Sequence, residues 1–186
     1  MENQVQKTIA ILLTEGFEQV EMTEPRKALE AEGFQTDLIT PEGGDVKAWN
    51  ETDWGDIFKA HKALNEASPN DYDALLLPGG VMNPDQLRMD KNAVAFVEAF
   101  FESDKPVAAI CHAPMMLIEA DVVEGRKVTS YPSLQTDLRN AGAEWVDEEV
   151  VVDGNLVTSR TPDDIPAFNQ ELIKLIKEGV HVGQQV

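Results

Sequence analysis

The sequence predicts an α/β fold, a three-layer α/β/α sandwich with helices on both faces of a mostly parallel sheet. Short continuous apolar runs recur along the chain, as is typical of parallel strands that are buried on both faces. Stretches with apolar residues at helical spacing follow these runs, and no unit repeats. No linker divides the 186 residues, so we expect a single domain over residues 1–186.

The predicted strands are short and mostly apolar. Residues 8–13 and Ala74–Leu77 are runs of the buried type, and a Pro-Gly-Gly turn closes the second. Residues 150–157 predict a hairpin with an Asp-Gly turn. The other predicted strands are residues 34–40, Val107–Ile110 and residues 127–130.

The predicted helices lie between these strands. Apolar residues recur at helical spacing between residues 92 and 103 and give that helix one apolar face. The other predicted helices are residues 22–32, 113–120, 133–141 and 162–177. Residues 42–69 have a mixed pattern and are interpreted as an edge hairpin or an insertion, in which Trp49 and Trp54 either pack or form a contact surface. We expect frayed ends over the first five or six residues and over residues 180–186.

The composition argues against nucleic acid and membrane partners. A formal net charge of −19, from 34 acidic and 15 basic residues, repels phosphate backbones. No charged-then-apolar leader opens the sequence, and no apolar run approaches the roughly 20 residues that span a bilayer. One cysteine excludes an internal disulfide. We therefore expect a soluble cytoplasmic protein.

The single cysteine, Cys111, lies where an apolar strand runs into a turn and then into a helix. A side chain at such a turn is held clear of its neighbours, and a helix N-terminus favours an anion and so lowers the pKa of a thiol. Cys111 is therefore a candidate nucleophile. The alternative is an inert buried residue, because free cysteine is among the most buried residue types.

Several other polar groups follow predicted strands at their carboxyl ends, where open α/β sheets bind ligands. Taken singly, each has an ordinary interpretation as a turn, a capping residue or a surface charge. Together they place a carboxylate, backbone donors, a thiol with an imidazole, and a guanidinium on one rim, which predicts an active site. These residues are Glu21, Gly79, Gly80, Cys111, His112 and Arg160.

Six segments in order resemble the PfpI intracellular protease family of the ThiJ/PfpI superfamily. The resemblance runs from about Ile9 to about Ile176 and includes Ala-Ile-Cys-His-Ala-Pro at residues 109–114. The other segments are residues 17–21, 76–80, 84–88, 140–145 and 157–164. This resemblance implies a flavodoxin-like sandwich close in shape to class I glutamine amidotransferases, and a homodimer or a hexamer assembled from dimers. We expect no cofactor.

Carried over position by position, the resemblance implies that Cys111 is the nucleophile and His112 is its base. Glu21 would be a buried carboxyl that hydrogen-bonds the thiol, and it can donate to the thiolate if burial raises its own pKa. Gly80 and the amide of His112 would form an oxyanion hole. Asp85 would reach the histidine of an adjacent subunit, so that the site is completed across an interface.

The remaining candidate oxyanion or binding positions are Glu18, Gly79, Tyr131 and Arg160. The sequence departs from the family pattern at two positions. Ala113 stands where glycine is common, and we expect it to be helical because a left-handed conformation there would cost a residue other than glycine about 1 kcal/mol. Asp85 stands where glutamate is common and has a shorter reach.

Two other site classes are disfavoured. Class I glutamine amidotransferases need a histidine and a glutamate close together late in the chain. The histidines here are His61, His112 and His181, and none is followed two residues later by glutamate. Three scattered histidines also argue against a metal site, because zinc sites need clustered ligands.

Three functions remain open within the resemblance. In a glyoxalase or deglycase of the stress response, Cys111 would add to a small carbonyl such as methylglyoxal, and Glu21 and His112 would transfer protons toward lactate. In an intracellular peptidase, Cys111 would attack an amide carbonyl. In a redox sensor or chaperone, Cys111 would be oxidised. We expect the first, because tight strand-end turns narrowed by a neighbouring subunit suit small carbonyl compounds better than peptides.

Overall fold

A computed structural model describes residues 6–179 of the chain. The strands are β1 (Thr8–Leu12), β2 (Gln35–Thr40), β3 (Asp45–Asn50), β4 (Asp53–Lys59), β5 (Lys62–Ala63), β6 (Ala74–Leu77), β7 (Val107–Ile110), β8 (Lys127–Val128), β9 (Glu144–Trp145), β10 (Val150–Asp153) and β11 (Leu156–Ser159). The helices are α1 (Gln19–Ala31), α2 (Met82–Leu87), α3 (Lys91–Glu102), α4 (Pro114–Glu119), α5 (Gln135–Asn140) and α6 (Ile165–Glu178).

Seven of these strands form the main sheet, in the order β10, β11, β7, β6, β1, β2, β5. All neighbours are parallel except β10 and β11, which form a hairpin. The central strands are buried along their whole length, because helices cover both faces. The carboxyl ends of β1, β6, β7 and β11 therefore lie along one edge of the sheet.

The two faces of the sheet carry separate apolar cores, as alternation along each strand requires. In β1, Ala10 and Leu12 face one core, whereas Ile9 and Ile11 face the other. Helices α3, α4 and α5 pack on the first face, and α1 and α6 pack on the second. The predicted three-layer, mostly parallel α/β sandwich is confirmed.

Most predicted strands and helices lie where the sequence indicates, with shifts at their ends. Helix α1 begins at Gln19, three residues before the predicted start. The predicted helix over residues 162–177 consists of a 3₁₀ turn, Pro162–Asp164, followed by α6. The predicted strand over residues 127–130 is shorter and lies outside the main sheet, because β8 pairs with β9. The frayed ends predicted from sequence fall on residues 1–5 and 180–186, outside the described residues, and so does His181.

Helix α2 was not predicted from the sequence. The Pro-Gly-Gly turn and Pro84 both suggest a break in regular structure. Pro84 nevertheless lies in the first turn of α2, where the backbone N–H has no partner within the helix and proline is tolerated. This helix carries Met82 and Asn83 to the carboxyl edge of the sheet.

The mixed region over residues 42–69 contains the antiparallel hairpin of β3 and β4, which is separate from the main sheet. The free side of β3 joins the loop after β1, where Trp49 N–H donates to Phe17 O over 2.8 Å and Gly16 N–H donates to Lys47 O over 2.9 Å. The hairpin thereby sits at the carboxyl edge of the sheet. Among residues 6–179, no helix is long and apolar enough to cross a membrane.

Candidate active site

Cys111 lies at the turn between β7 and α4 in a strained backbone conformation. Its φ of 64° is in the left-handed region, which costs residues other than glycine roughly 1 to 2 kcal/mol. Hydrogen bonds hold the turn on both sides: Cys111 N–H donates to Ser159 O over 3.0 Å, and Tyr131 N–H donates to Cys111 O over 2.8 Å. Ala113 is helical, with φ −56° and ψ −30°, as expected. This strand-to-helix turn has the geometry of a nucleophile elbow.

His112 is positioned by contacts with three side chains. Its Nδ1 lies 3.1 Å from Cys111 Sγ, and its Nε2 lies 3.2 Å from Ser133 Oγ. The imidazole stacks on the Tyr131 ring, with 4.5 Å between ring centroids. Burial lowers the pKa of His112 and favours the neutral ring. With Nδ1 accepting from the thiol, Nε2–H donates to Ser133, an orienting contact that the sequence did not reveal.

Glu21 is a fully buried carboxyl beside the thiol. Gly79 N–H donates to its Oε2 over 2.8 Å, and its Oε1 has no hydrogen-bond partner of normal geometry among residues 6–179. Burial is the main cause that raises the pKa of Glu21 to about 8, against the lowering effects of the Gly79 amide and the Cys111 thiol. Glu21 therefore holds a proton at neutral pH, the state in which a carboxyl can donate to a thiolate.

The pKa of the Cys111 thiol moves in the direction opposite to the one predicted from the helix N-terminus. Burial raises it most, and the negative charge of Glu21 raises it further, whereas the backbone N–H groups of Gly80 and His112 lower it. The predicted lowering is therefore wrong, because α4 is only six residues long and the thiol is buried. The repulsion between the Glu21 carboxylate and the Cys111 thiolate requires an ionised Glu21. This contribution to the thiol pKa therefore disappears below a pH of about 8.

Asn83 ties together the loops that carry these groups. Its amide Nδ2 donates to Pro78 O over 2.9 Å and to Gly79 O over 3.1 Å, and its Oδ1 accepts from Thr14 N–H over 2.8 Å. Asn83 is buried. It therefore fixes the loop after β6 against the end of β1, a role that follows from the unpredicted helix α2.

Gly79 approaches the site so closely that a side chain does not fit. A Cβ there would lie 2.5 Å from Glu21 Oε2, 2.6 Å from Ile110 O and 2.8 Å from Cys111 Cβ. We expect Gly79→Ala to destabilise the fold by roughly 2 to 4 kcal/mol and to slow alkylation of Cys111, because Ile110 O is backbone and cannot move freely. Urea unfolding and iodoacetamide kinetics measure the two effects.

The matched control for Gly79→Ala is Gly33→Ala. Gly33 has a φ of +85°, and an added Cβ would meet nothing within 4 Å. This control should lose about 1 kcal/mol through backbone strain and keep the wild-type alkylation rate. Equal stability and equal alkylation in the two variants would contradict the close packing described for Gly79.

A cavity of about 520 Å³ opens above Cys111. Six of its lining residues were candidates from the sequence, whereas the hairpin residues Trp49 and Glu51 and the helix residue Met82 were not. A cavity of this volume is in the range that holds small-molecule ligands. The lining residues are Gly16, Glu18, Glu21, Trp49, Glu51, Gly80, Val81, Met82, Cys111, His112, Tyr131 and Pro162.

Three candidate residues, Gly79, Asp85 and Arg160, are not among the residues that line this cavity; Gly79 instead contacts Glu21. Arg160 gives its guanidinium to Asp164 and Asp147, with N–O distances of 2.9 Å, and so supports the loop before Pro162. Asp85 is exposed on α2 and borders a separate groove of about 640 Å³ that also contacts Arg88 and Lys91. That groove is larger but has no cysteine or histidine, so we place the candidate site at Cys111. Residues 6–179 contain no cluster of three or more potential metal ligands.

The fold and this site define a class of α/β sandwich proteins that display a cysteine at a strand-to-helix turn, beside a histidine and a buried carboxyl. The chain belongs to the DJ-1/PfpI family, whose model matches residues 7–175. The resemblance drawn from the sequence motifs is thus confirmed.

Two curated relatives and one solved structure illustrate this membership. The chain is 46% identical over 171 residues to "Putative cysteine protease YraA" of Bacillus subtilis, covering 92% of this chain and 99% of the relative. It is 45% identical over 171 residues to "Protein/nucleic acid deglycase 2" of Escherichia coli, covering 91% and 98%. The crystal structure of Drosophila melanogaster DJ-1beta matches with a TM-score of 0.82 and 26% identity, covering 94% of this chain and 97% of that one.

Proposed function

We propose that this protein is a cysteine-dependent stress-response enzyme that acts on small reactive carbonyls or glycated groups, with Cys111 as its nucleophile. The observation that carries the proposal is the Cys111 thiol, 3.1 Å from the His112 imidazole in a cavity of about 520 Å³. The deglycase name of the Escherichia coli relative supports the same reaction class. A strained elbow that exposes the thiol to a cavity argues against the alternative of an inert buried cysteine.

The site residues suggest a route for methylglyoxal. The Cys111 thiolate adds to the aldehyde carbon, forming a C–S bond, while the carbonyl oxygen takes the electron pair and then a proton from the Glu21 carboxyl. The backbone N–H groups of Gly80 and His112 stabilise the charge that develops on this oxygen. His112 moves a proton from the former aldehyde carbon to the neighbouring carbon, and the Glu21 carboxylate carries the hydroxyl proton to the former ketone oxygen, which gives a lactoyl thioester. One water molecule then cleaves the thioester: its oxygen joins the acyl carbon, one of its protons goes to the sulfur and the other returns to Glu21, and lactate leaves.

A peptidase is the alternative function, favoured by the protease name of the Bacillus subtilis relative. A peptidase needs a cleft that accepts an extended chain on both sides of the scissile bond. Here Trp49 and Glu51 of the hairpin, together with Tyr131, line the cavity and limit its volume to about 520 Å³. This enclosure favours a small substrate over a peptide.

We further propose that the protein acts in the cytoplasm and associates with itself, as a homodimer or a hexamer. Asp85 is exposed and outside the cavity of its own chain. A role for Asp85 at His112 therefore requires a second copy of the chain. The single-domain organisation over residues 1–186, the resemblance in shape to class I glutamine amidotransferases and the roles of the individual site residues stay predictions.

A substrate panel on the purified wild-type protein tests the proposed function. We expect lactate formation from methylglyoxal and no cleavage of fluorogenic peptides. Pretreatment with iodoacetamide should abolish lactate formation, because Cys111 is the only thiol. Peptide cleavage that alkylation removes would instead establish the peptidase. Neither activity, with ready oxidation of Cys111 by peroxide, would favour the redox sensor.

A further inference from the structure

The cavity above Cys111 carries negative charge that no basic side chain balances. Glu18 and Glu51 both line it, and neither forms an ion pair within residues 6–179. No lysine or arginine lines the cavity. Because burial favours the neutral form of His112, the imidazole supplies no compensating positive charge near neutral pH. Glu18 and Glu51 therefore supply the net charge among the side chains that line the cavity near neutral pH.

Hydrogen bonds at the hairpin turn hold the Glu18 carboxylate and the backbone of Glu51 in place. Glu51 N–H donates to Glu18 Oε1 over 3.0 Å, and Trp49 Nε1–H donates to Glu51 O over 2.9 Å. Glu51 occupies the turn between β3 and β4 with a φ of 58°, a conformation that glycine adopts more easily. A third carboxyl of the same cavity, Glu21, is fully buried, and its Oε1 has no hydrogen-bond partner among the described residues. Because Glu21 holds a proton near neutral pH and its Oε2 accepts from Gly79 N–H, Oε1 is free to donate to a carbonyl oxygen on a bound molecule.

Aromatic residues in the cavity also favour a cationic ligand over an anionic one. Trp49 and Tyr131 both line the cavity. Aromatic faces attract cations through their quadrupole, most strongly for tryptophan. An anionic group in the cavity would meet carboxylates and aromatic faces without a basic partner, whereas a cationic group would be attracted by both.

We propose that Glu18 and Glu51 make this site selective for the charge of its carbonyl substrate. Substrates with a positive charge are preferred over neutral ones, and anionic substrates are rejected. The proposal rests on the proposed function for the identity of the reacting group. The charge preference itself can be measured on the thiol without any turnover.

Methanethiosulfonate reagents of different charge provide the test. The second-order rate with Cys111 is measured for the trimethylammonioethyl, sulfonatoethyl and uncharged methyl reagents in the wild type, Glu51→Gln and Glu18→Gln. Each rate is divided by the rate of the uncharged reagent with the same protein, which removes the effect of any change in the pKa of the thiol. Because any thiolate reacts faster with a cationic reagent, the ratio of the cationic rate to the anionic rate is divided by the same ratio for free 2-mercaptoethanol. We expect this corrected ratio to be about tenfold or more in the wild type, and to fall severalfold in each variant and in 1 M salt.

Glu42→Gln is the matched control, because Glu42 is an exposed glutamate outside the cavity. It removes the same charge from the protein and should keep the wild-type ratio. A wild-type ratio near one, or a ratio that Glu51→Gln and Glu18→Gln leave unchanged, would overturn the charge selectivity. If the ratio behaves as expected but methylglyoxal is not turned over, the charge selectivity stands and the proposed function fails.

Discussion

Cys111→Ala is expected to lower lactate formation from methylglyoxal by about a thousandfold or more, the usual loss when a covalent nucleophile is removed. The proposed route begins with a bond between Cys111 Sγ and the substrate carbon, and the chain has no second thiol to replace it. His112 would still contact Ser133 and Tyr131, so the variant keeps a shaped cavity without a nucleophile. Steady-state kcat/KM, followed by lactate release, measures the loss.

The stability of Cys111→Ala provides the control. Alanine has no polar atom to bury, and it meets the same backbone strain as cysteine at a φ of 64°. We expect the Tm to change by about 4 °C or less, since a substitution of this size alters stability by roughly 1 kcal/mol. A variant that keeps its Tm and more than a tenth of wild-type turnover would contradict nucleophilic catalysis by Cys111.

Most of the fold could be predicted from the sequence, because each of the predicted strands and helices is indicated by the pattern of its own residues. Apolar runs such as Ala74–Leu77 are buried on both faces, and the spacing in α3 follows directly from the helical period. Helix α2 was missed because Pro84 resembles a helix breaker unless its place in the first turn is known. The position of β3 and β4 was also not predictable, because it depends on backbone hydrogen bonds to the loop after β1.

Only the site residues that lie at strand ends or in family motifs could be predicted from the sequence. Cys111 and His112 follow β7, and Glu21 follows β1; these two strands flank β6 in the main sheet. Trp49 and Ser133 come from segments whose approach to the cavity depends on tertiary packing.

The charge states of the site residues could not be predicted from the sequence alone. The same short motif, with its helix N-terminus, predicted a lowered thiol pKa, but burial and Glu21 reverse the direction. The position of Arg160 after β11 predicts a binding residue. Its guanidinium is instead occupied by Asp164, four residues later, and by Asp147.

Glu21→Gln is expected to stabilise the protein near neutral pH. Burial raises the pKa of Glu21 from its ordinary value of 4.5 to about 8, so the folded protein keeps a proton that the unfolded chain releases. The free energy of unfolding therefore falls as pH rises from about 4.5 to about 8, by roughly 3 kcal/mol at most by pH 7. Glutamine does not titrate, and its Oε1 can still accept from Gly79 N–H.

The variant should therefore gain about 4 to 10 °C in Tm over the wild type at pH 7, with little gain at pH 4.5. Thermal unfolding at several pH values between these limits measures the effect. Glu24→Gln is the matched control, because Glu24 is an exposed glutamate on the same helix, and it should follow the wild-type pH dependence. A gain that is equal at all pH values would show that Glu21 titrates normally.

The same variant separates the stability cost of Glu21 from its part in the chemistry. Because the charge of Glu21 raises the pKa of the Cys111 thiol, the neutral amide should lower that pKa, seen as a shift of the alkylation-rate profile to lower pH. Turnover of methylglyoxal should nevertheless fall, because the amide cannot release a proton to the developing alkoxide as a carboxyl does. A thiol pKa that stays unchanged would contradict the pairing of Glu21 with Cys111. A more stable protein with a more reactive thiol and slower turnover would mean that the buried carboxyl is kept for proton transfer.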